Sequence, residues 1–288
     1  MSLGALWGGS FLFIRVAAPA LGPFTLMELR VGIAGTALIL YAALASRIPK
    51  LRRRWKEFLV LGTLNAAITY SLIAAAEINL TASLGAILNS TTALFTAVVA
   101  SVWIGEAFTT KKLLVLLLGV IGVTILVGWD PVPLNAVVLL SVGAVLAGSL
   151  SYAVATVYTK QAFWGEMPLA MAIGQQAAAA AILLPLAAAT LPSETPTLPV
   201  GFSVLALALL CTALAYLLYF RLIVTVGPTS TSTVTFLVPV FGLLFGVVFL
   251  NEPLGTGTLA GLATILLGIA LVTGLRLGPR AKTGRPGP

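Results

Sequence analysis

The sequence predicts an all-α membrane protein with ten transmembrane helices arranged as two inverted five-helix repeats. Three observations lead there. The chain of 288 residues is 59% hydrophobic and only 8% charged, too little polar surface to cover a soluble fold. A bilayer-spanning helix needs about 20 mostly apolar residues, and ten such segments can be laid along the chain with short connections. The later part of the chain also repeats the earlier part at a nearly constant offset.

In order, the predicted spans are 2–20, 24–46, 58–78, 82–104, 110–129, 136–160, 168–190, 201–226, 230–250 and 256–275. The first reads as a span and not as a cleaved leader. A basic n-region is missing ahead of it, and Arg15 would fall inside the apolar core of such a leader. Turn signals separate the rest: "GPF" at 22–24, "DPVP" at 130–133, "LPSETPTLP" at 191–199, "GPTS" at 227–230 and "NEP" at 251–253. Each favours a turn over a helix interior. The gaps are too short to fold alone, so no soluble domain is expected.

Charge then orients the chain. Thirteen of the sixteen Lys and Arg residues lie in four groups: Arg47 to Lys56, Lys111 with Lys112, Lys160, and Arg276 to Arg285. Every group follows an even-numbered span, and the loops after odd-numbered spans carry none. The positive-inside rule therefore places both termini in the cytoplasm. The net charge of +8 becomes a membrane-orientation signal beside an anionic leaflet, which argues against nucleic acid as a partner.

Residues 62–128 align over 208–274 without a gap. Identities include Tyr70 with Tyr216, Glu106 with Glu252, Gly122 with Gly268 and Gly128 with Gly274. At an offset of 145, "WGGSFLFIR" (7–15) lies over "YAVATVYTK" (152–160). Residues 1–130 thus form one five-helix repeat and 131–276 a second, with 277–288 as a cytoplasmic basic tail. Five is odd, so the second copy enters the membrane from the opposite side, an inversion that recurs in secondary transporters. Glu106 and Glu252 become equivalent carboxylates on opposite sides, each expected to favour the positive end of the helix that follows it.

Several stretches carry a family resemblance over nearly the whole chain. They are "LWGGSFLFIR", "PFTLMELR", "SVWIGEAFTTKKLLVLLLGVIGVTIL" and "VVFLNEPLGTGTLAGLATILLGIALV". The sequence resembles the drug/metabolite transporter superfamily, the EamA-type permeases, and within it the group exporting amino acids, aromatic ones included. The resemblance implies export of small molecules from the bacterial inner membrane by alternating access. Amino acids or related zwitterions are the implied cargo, and the lipid bilayer is the only other partner expected.

Helical stripes supply the candidate cavity residues, since positions three, four and seven apart share a face. They are Trp7 and Ser10 on the first helix, Asn65 and Tyr70 on the third, and Asn89 and Thr92 on the fourth. Tyr152 and Thr156 follow on the sixth, Tyr216 and Tyr219 on the eighth, and Thr235 on the ninth. Polar groups in hydrocarbon seek the bundle interior, where they either join helices or line a cavity. Pro239, mid-span in the ninth helix, is the hinge candidate. Arg15, Arg30 and Arg221 are read as snorkelling to an interface. Glu28 and Glu77 are the candidates for proton coupling. No carboxylate falls clearly at the midplane, so downhill movement of a net-neutral solute is expected.

An enzyme is disfavoured. The chain has no histidine, one cysteine (Cys211) and one aspartate (Asp130), which removes Ser–His and Cys–His pairs, paired aspartates and histidine-ligated metal sites. No cofactor or metal is expected. A channel or lipid scramblase of the same architecture, or a proton-coupled exporter, are the alternative functions.

Overall fold

Hydrocarbon offers no water to an unpaired backbone group, so a spanning chain must close its hydrogen bonds inside its own helices. The computed structural model describes residues 1–105, 110–129, 135–163, 165–193, 195–226, 234 and 237–273, and among them all regular structure is helical. Ten helices follow one another: α1 (Ser2–Leu21), α2 (Pro23–Leu44), α3 (Leu51–Glu77), α4 (Ala82–Asn89, continuing as Thr92–Ile104), α5 (Thr110–Trp129), α6 (Ala136–Ala162), α7 (Pro168–Ala189), α8 (Leu198–Leu205, continuing as Ala206–Leu214 and Ala215–Val226), α9 (Leu237–Leu250) and α10 (Thr256–Thr273). Among the described residues seven spans, in α1 to α4 and α6 to α8, are long and apolar enough to cross a membrane. Their outer faces carry large exposed apolar side chains, Leu140 at 74% and Phe202 at 71% among them, as a lipid-facing surface requires.

At 22–24, 191–199 and 251–253 helices end or begin where the punctuation predicts, and the turns expected at 130–133 and 227–230 lie outside the described residues. Gly22 turns at φ 71° and Pro23 opens α2, a position whose N–H has no helical partner to lose. Pro168 does the same for α7, and Asn135 caps α6 by accepting from the Val138 N–H at 2.9 Å. The clearest difference from the sequence reading is at α3. α3 begins at Leu51, because Leu51–Arg54 form a 3-10 turn that leads directly into it. Pro239 lies within the described part of α9, Leu237–Leu250.

The packing has a regularity of its own. α5 packs on α10 and α2 on α7; α1 packs on α9 as α4 does on α6; α3 packs on α6 as α8 does on α1; α3 meets α7 as α8 meets α2. Advancing every helix by five positions leaves these pairs unchanged. Gly62 shows one approach in atoms: a Cβ there would run into the backbone at Gln175 and Ala179, so only glycine lets α3 lie this close to α7.

Three helices depart from regular α geometry. α3 widens into a π-turn at Thr63–Ile68 and α8 at Ala206–Leu214, and the two π-turns end at residues equated by the repeat, Ile68 and Leu214. Such a turn frees a carbonyl, and a threonine five residues later takes it up in each case. Thr69 Oγ1 donates to the Leu64 carbonyl at 2.7 Å and Thr212 Oγ1 to that of Leu207 at 2.9 Å. α4 breaks at Ser90–Thr91. There Ser90, Thr91 and Thr92 each donate a hydroxyl hydrogen bond to the carbonyl three residues back, at 2.6, 2.7 and 2.7 Å. The run "NSTT" (89–92) thus repairs the break that it occupies.

Candidate functional site

π-turns and helix breaks in membrane bundles tend to mark functional positions. Between the π-turns of α3 and α8 lies a polar cluster. Tyr70 on α3 and Tyr216 on α8, 146 residues apart, bring their hydroxyls to 3.3 Å. Asn65 Nδ2, one turn before Tyr70, donates to Gln175 Oε1 of α7 at 2.9 Å and to the Tyr216 hydroxyl at 3.4 Å. Tyr152 of α6 stands edge-on to Tyr70, ring centroids 6.1 Å apart. Four sequence candidates, Asn65, Tyr70, Tyr152 and Tyr216, are therefore brought together.

Arg30 completes the cluster. It is only 5% exposed. Its Nε donates to Thr212 Oγ1 at 2.9 Å, and its guanidinium carbon lies 3.9 Å above the centre of the Tyr70 ring. The snorkelling expected of Arg30 is thus corrected: Thr212 and the ring face give the charge better partners inside the bundle than the extended reach to an interface would. Arg30 and Gln175 are each the eighth residue of a helix that opens on proline, α2 and α7. Sequence reasoning missed Gln175 and Gln176, whose signal was a pair of adjacent amides inside an otherwise apolar helix. Among the described residues Gln175 Nε2 and both polar atoms of the Gln176 side chain have no hydrogen-bond partner, although both residues are buried.

The remaining candidates lie apart from these contacts. Trp7 stacks at a tilt on Tyr219, centroids 5.4 Å apart, and Ser10 is buried on α1 beside Cys211. Asn89 sits at the break of α4 with Oδ1 buried and unpartnered, while its carbonyl accepts from Thr92 at 2.7 Å. Thr156 is exposed and donates to the Tyr152 carbonyl of its own helix at 2.8 Å. Thr235 and the Arg221 side chain lie outside the described residues.

A second polar group closes the end of the bundle formed by the C-termini of α1, α3 and α9 and the start of α4. Glu252 does not serve the following helix α10, as expected; it caps α4. Its Oε1 accepts from the Ala82 N–H at 2.6 Å, and its Oε2 accepts from the Ser83 N–H and hydroxyl at 2.9 and 2.5 Å. Asn251, at φ 53°, turns the chain back so that the carboxylate meets the positive end of α4. Its repeat partner Glu106 lies outside the described residues. Arg15 also does not snorkel free: its Nη1 donates to the carbonyls of Glu77 and Ile78 at 2.6 and 2.8 Å, closing the C-terminus of α3. A cleft of about 550 Å³ opens beside these groups, lined by Arg15, Pro19, Ile78, Thr81, Leu250 and Glu252. Glu77 is fully buried beneath it, both carboxylate oxygens without a hydrogen-bond partner among the described residues, and Glu28 is half-buried on α2.

This architecture has known relatives. The EamA-like transporter family model matches the chain twice, over residues 1–128 and 139–274. The chain belongs to that family. The EamA chain is 26% identical to the uncharacterized transporter YvbV of Bacillus subtilis over 93% of its own length and 88% of the relative's. It is 27% identical to protein PecM of Dickeya dadantii over 98% and 93% of the two chains. It is also 26% identical to the uncharacterized inner membrane transporter YedA of Escherichia coli K12 over 94% and 88%. A crystal structure with 20% identity superposes with a TM-score of 0.70, covering 95% of this chain and 94% of that one. The protein is a multi-pass membrane transporter of small molecules, and the relatives YvbV and YedA, matched over 93% and 94% of its length, are named as transporters.

Proposed function

We propose that this EamA transporter exports amino acids or related zwitterions across a bacterial inner membrane. All ten helices span the bilayer with both termini in the cytoplasm, and residues 1–130 and 131–276 act as inverted repeats that alternate access to one central site. The observation that carries this reading is the meeting of Tyr70 and Tyr216, equivalent residues of the two repeats, beside the linked amides of Asn65 and Gln175, the latter with an Nε2 that has no partner among the described residues. Inverted-repeat carriers bind their solute at the interface of the repeats. The unchanged pairing of helices on advancing by five, and the double match of the family model, support the duplication.

Transport in this reading is facilitated and downhill. A proton-coupled second reading is favoured by one observation, the buried carboxylate of Glu77 with no hydrogen-bond partner among the described residues, with Glu28 the other candidate; Pro239 keeps its place as a hinge candidate in α9. Reconstituted transport of a zwitterionic amino acid, with and without an imposed proton gradient, tests the choice. The expected result is equilibration that ignores the gradient. Gradient-driven accumulation abolished by Glu77→Gln or Glu28→Gln would replace the uniport reading. For topology, a cysteine at Arg53 should react with an impermeant reagent only from the cytoplasm and one at Ser193 only from outside; the reverse pattern would overturn the orientation.

A further inference from the structure

The two sides of the central cluster differ in charge although their helices correspond. The eighth residue of α7 is the neutral Gln175, and the eighth residue of α2 is the cationic Arg30. A guanidinium held inside a membrane bundle is expensive unless an anion or a set of dipoles answers it. Among the described residues no carboxylate lies within ion-pair distance of Arg30; the one ion pair there is Arg54 with Glu166. Glu77 too stands beyond ion-pair reach of it. Of the guanidinium nitrogens only Nε donates a hydrogen bond among the described residues.

The rest of the group is fixed in place. One face is covered by the Tyr70 ring. The Thr212 hydroxyl donates to Leu207 in the π-turn of α8, so it meets Arg30 with a lone pair and holds the Nε edge. What remains is the fork of the two Nη nitrogens, which matches the two oxygens of a carboxylate in a planar, bidentate pair. A single cation suits a monoanion better than a doubly charged phosphate. Across the cluster, Gln175 joins Tyr216 through Asn65, and among the described residues its buried Nε2 has no hydrogen-bond partner, as it would at a site completed by a solute.

We propose that Arg30 binds a carboxylate of the transported solute, with Gln175 and Asn65 facing the opposite, uncharged side of the same site. This rests on the carrier reading above and narrows it to carboxylate-bearing solutes. Arg30 joins α2 to the π-turn of α8, so a solute on its free edge bears directly on the contact between two helices of different repeats.

The test uses the purified full chain in detergent. Thermal unfolding is followed while titrating L-phenylalanine or 3-phenylpropionate, which carry the carboxylate, against L-phenylalaninamide, which lacks it. A charge-assisted hydrogen bond predicts that the carboxylates half-saturate at roughly tenfold lower concentration than the amide, or lower still. Arg30→Gln should erase that difference, whereas Arg30→Lys, which keeps the charge without the fork, should keep part of it and guards against a variant that fails to fold. An arginine that merely ties α2 to α8 would change stability without changing the preference between carboxylate and amide. Equal response to amide and carboxylate, a preference that survives Arg30→Gln, or no response to either carboxylate would each overturn the proposal. Failure of the carrier reading looks different: carboxylate-selective stabilisation with no saturable flux in proteoliposomes would leave Arg30 its role and remove transport.

Discussion

At the end of the bundle where α4 begins, Glu252 receives three hydrogen bonds from the start of α4, and Arg15 donates two to the last carbonyls of α3. At the centre Gln175 makes one amide bond, and among the described residues its Nε2 and the neighbouring Gln176 amide on α7 have no hydrogen-bond partner. Both regions set polar side chains among apolar helices. A satisfied network rigidifies what it joins, while an unsatisfied one is costly until a partner arrives. The group at the helix ends therefore reads as a latch, and the central group as a seat for a solute. Mutations should separate the two: latch variants should lose stability, and seat variants should lose transport.

The largest effect is expected at the latch. Glu252→Ala removes the acceptor of three hydrogen bonds and the helix cap, and should destabilise by about 3 kcal/mol, read as a lowered unfolding temperature in detergent. An unchanged unfolding temperature would mean that the cap does not hold the end closed. Next come Tyr216 of the seat and Asn89 at the break of α4. Tyr216→Ala and Asn89→Ala should lower saturable transport by about tenfold beyond any loss of folded protein, the equivalent of one hydrogen bond of ordinary strength. Unchanged saturation kinetics in both would return them to helix packing. Arg15→Met should destabilise by about 1–2 kcal/mol, because two carbonyls at the end of α3 lose a charged donor but the side chain keeps its apolar stem. The smallest effect belongs to the break in α4, where Ser90→Ala frees one carbonyl and should shift stability by about 0.5–1 kcal/mol; a larger loss would make the break a structural keystone.

Much of the fold was legible because membranes impose a simple grammar. Apolar runs of spanning length and Pro or Gly between them located ten helices, and Pro23 and Pro168 opened α2 and α7 as N-terminal prolines do. The pairing of Tyr70 with Tyr216 was visible as an alignment before it was visible as a contact. What the sequence hid depends on long-range geometry. Arg30 looks like Arg15 in a linear reading, since both are cations within two or three turns of a helix end. Only the arrival of Thr212 from 182 residues away turns one inward, and only the α3 carbonyls turn the other into a clamp. Glu252 was rightly tied to a helix dipole but assigned to the wrong helix, because proximity in sequence favoured α10 and the packing of α9 on α4 chose otherwise. The π-turns left no composition signal at all.

The account stands on a central site that faces one side at a time. Counterflow measures this most directly: proteoliposomes loaded with an unlabelled zwitterionic amino acid are diluted into a trace of the labelled one. A carrier predicts transient accumulation of label above its outside concentration, saturable and reduced in Tyr216→Ala. Flux that rises linearly with concentration and never overshoots would contradict alternating access and point to a channel.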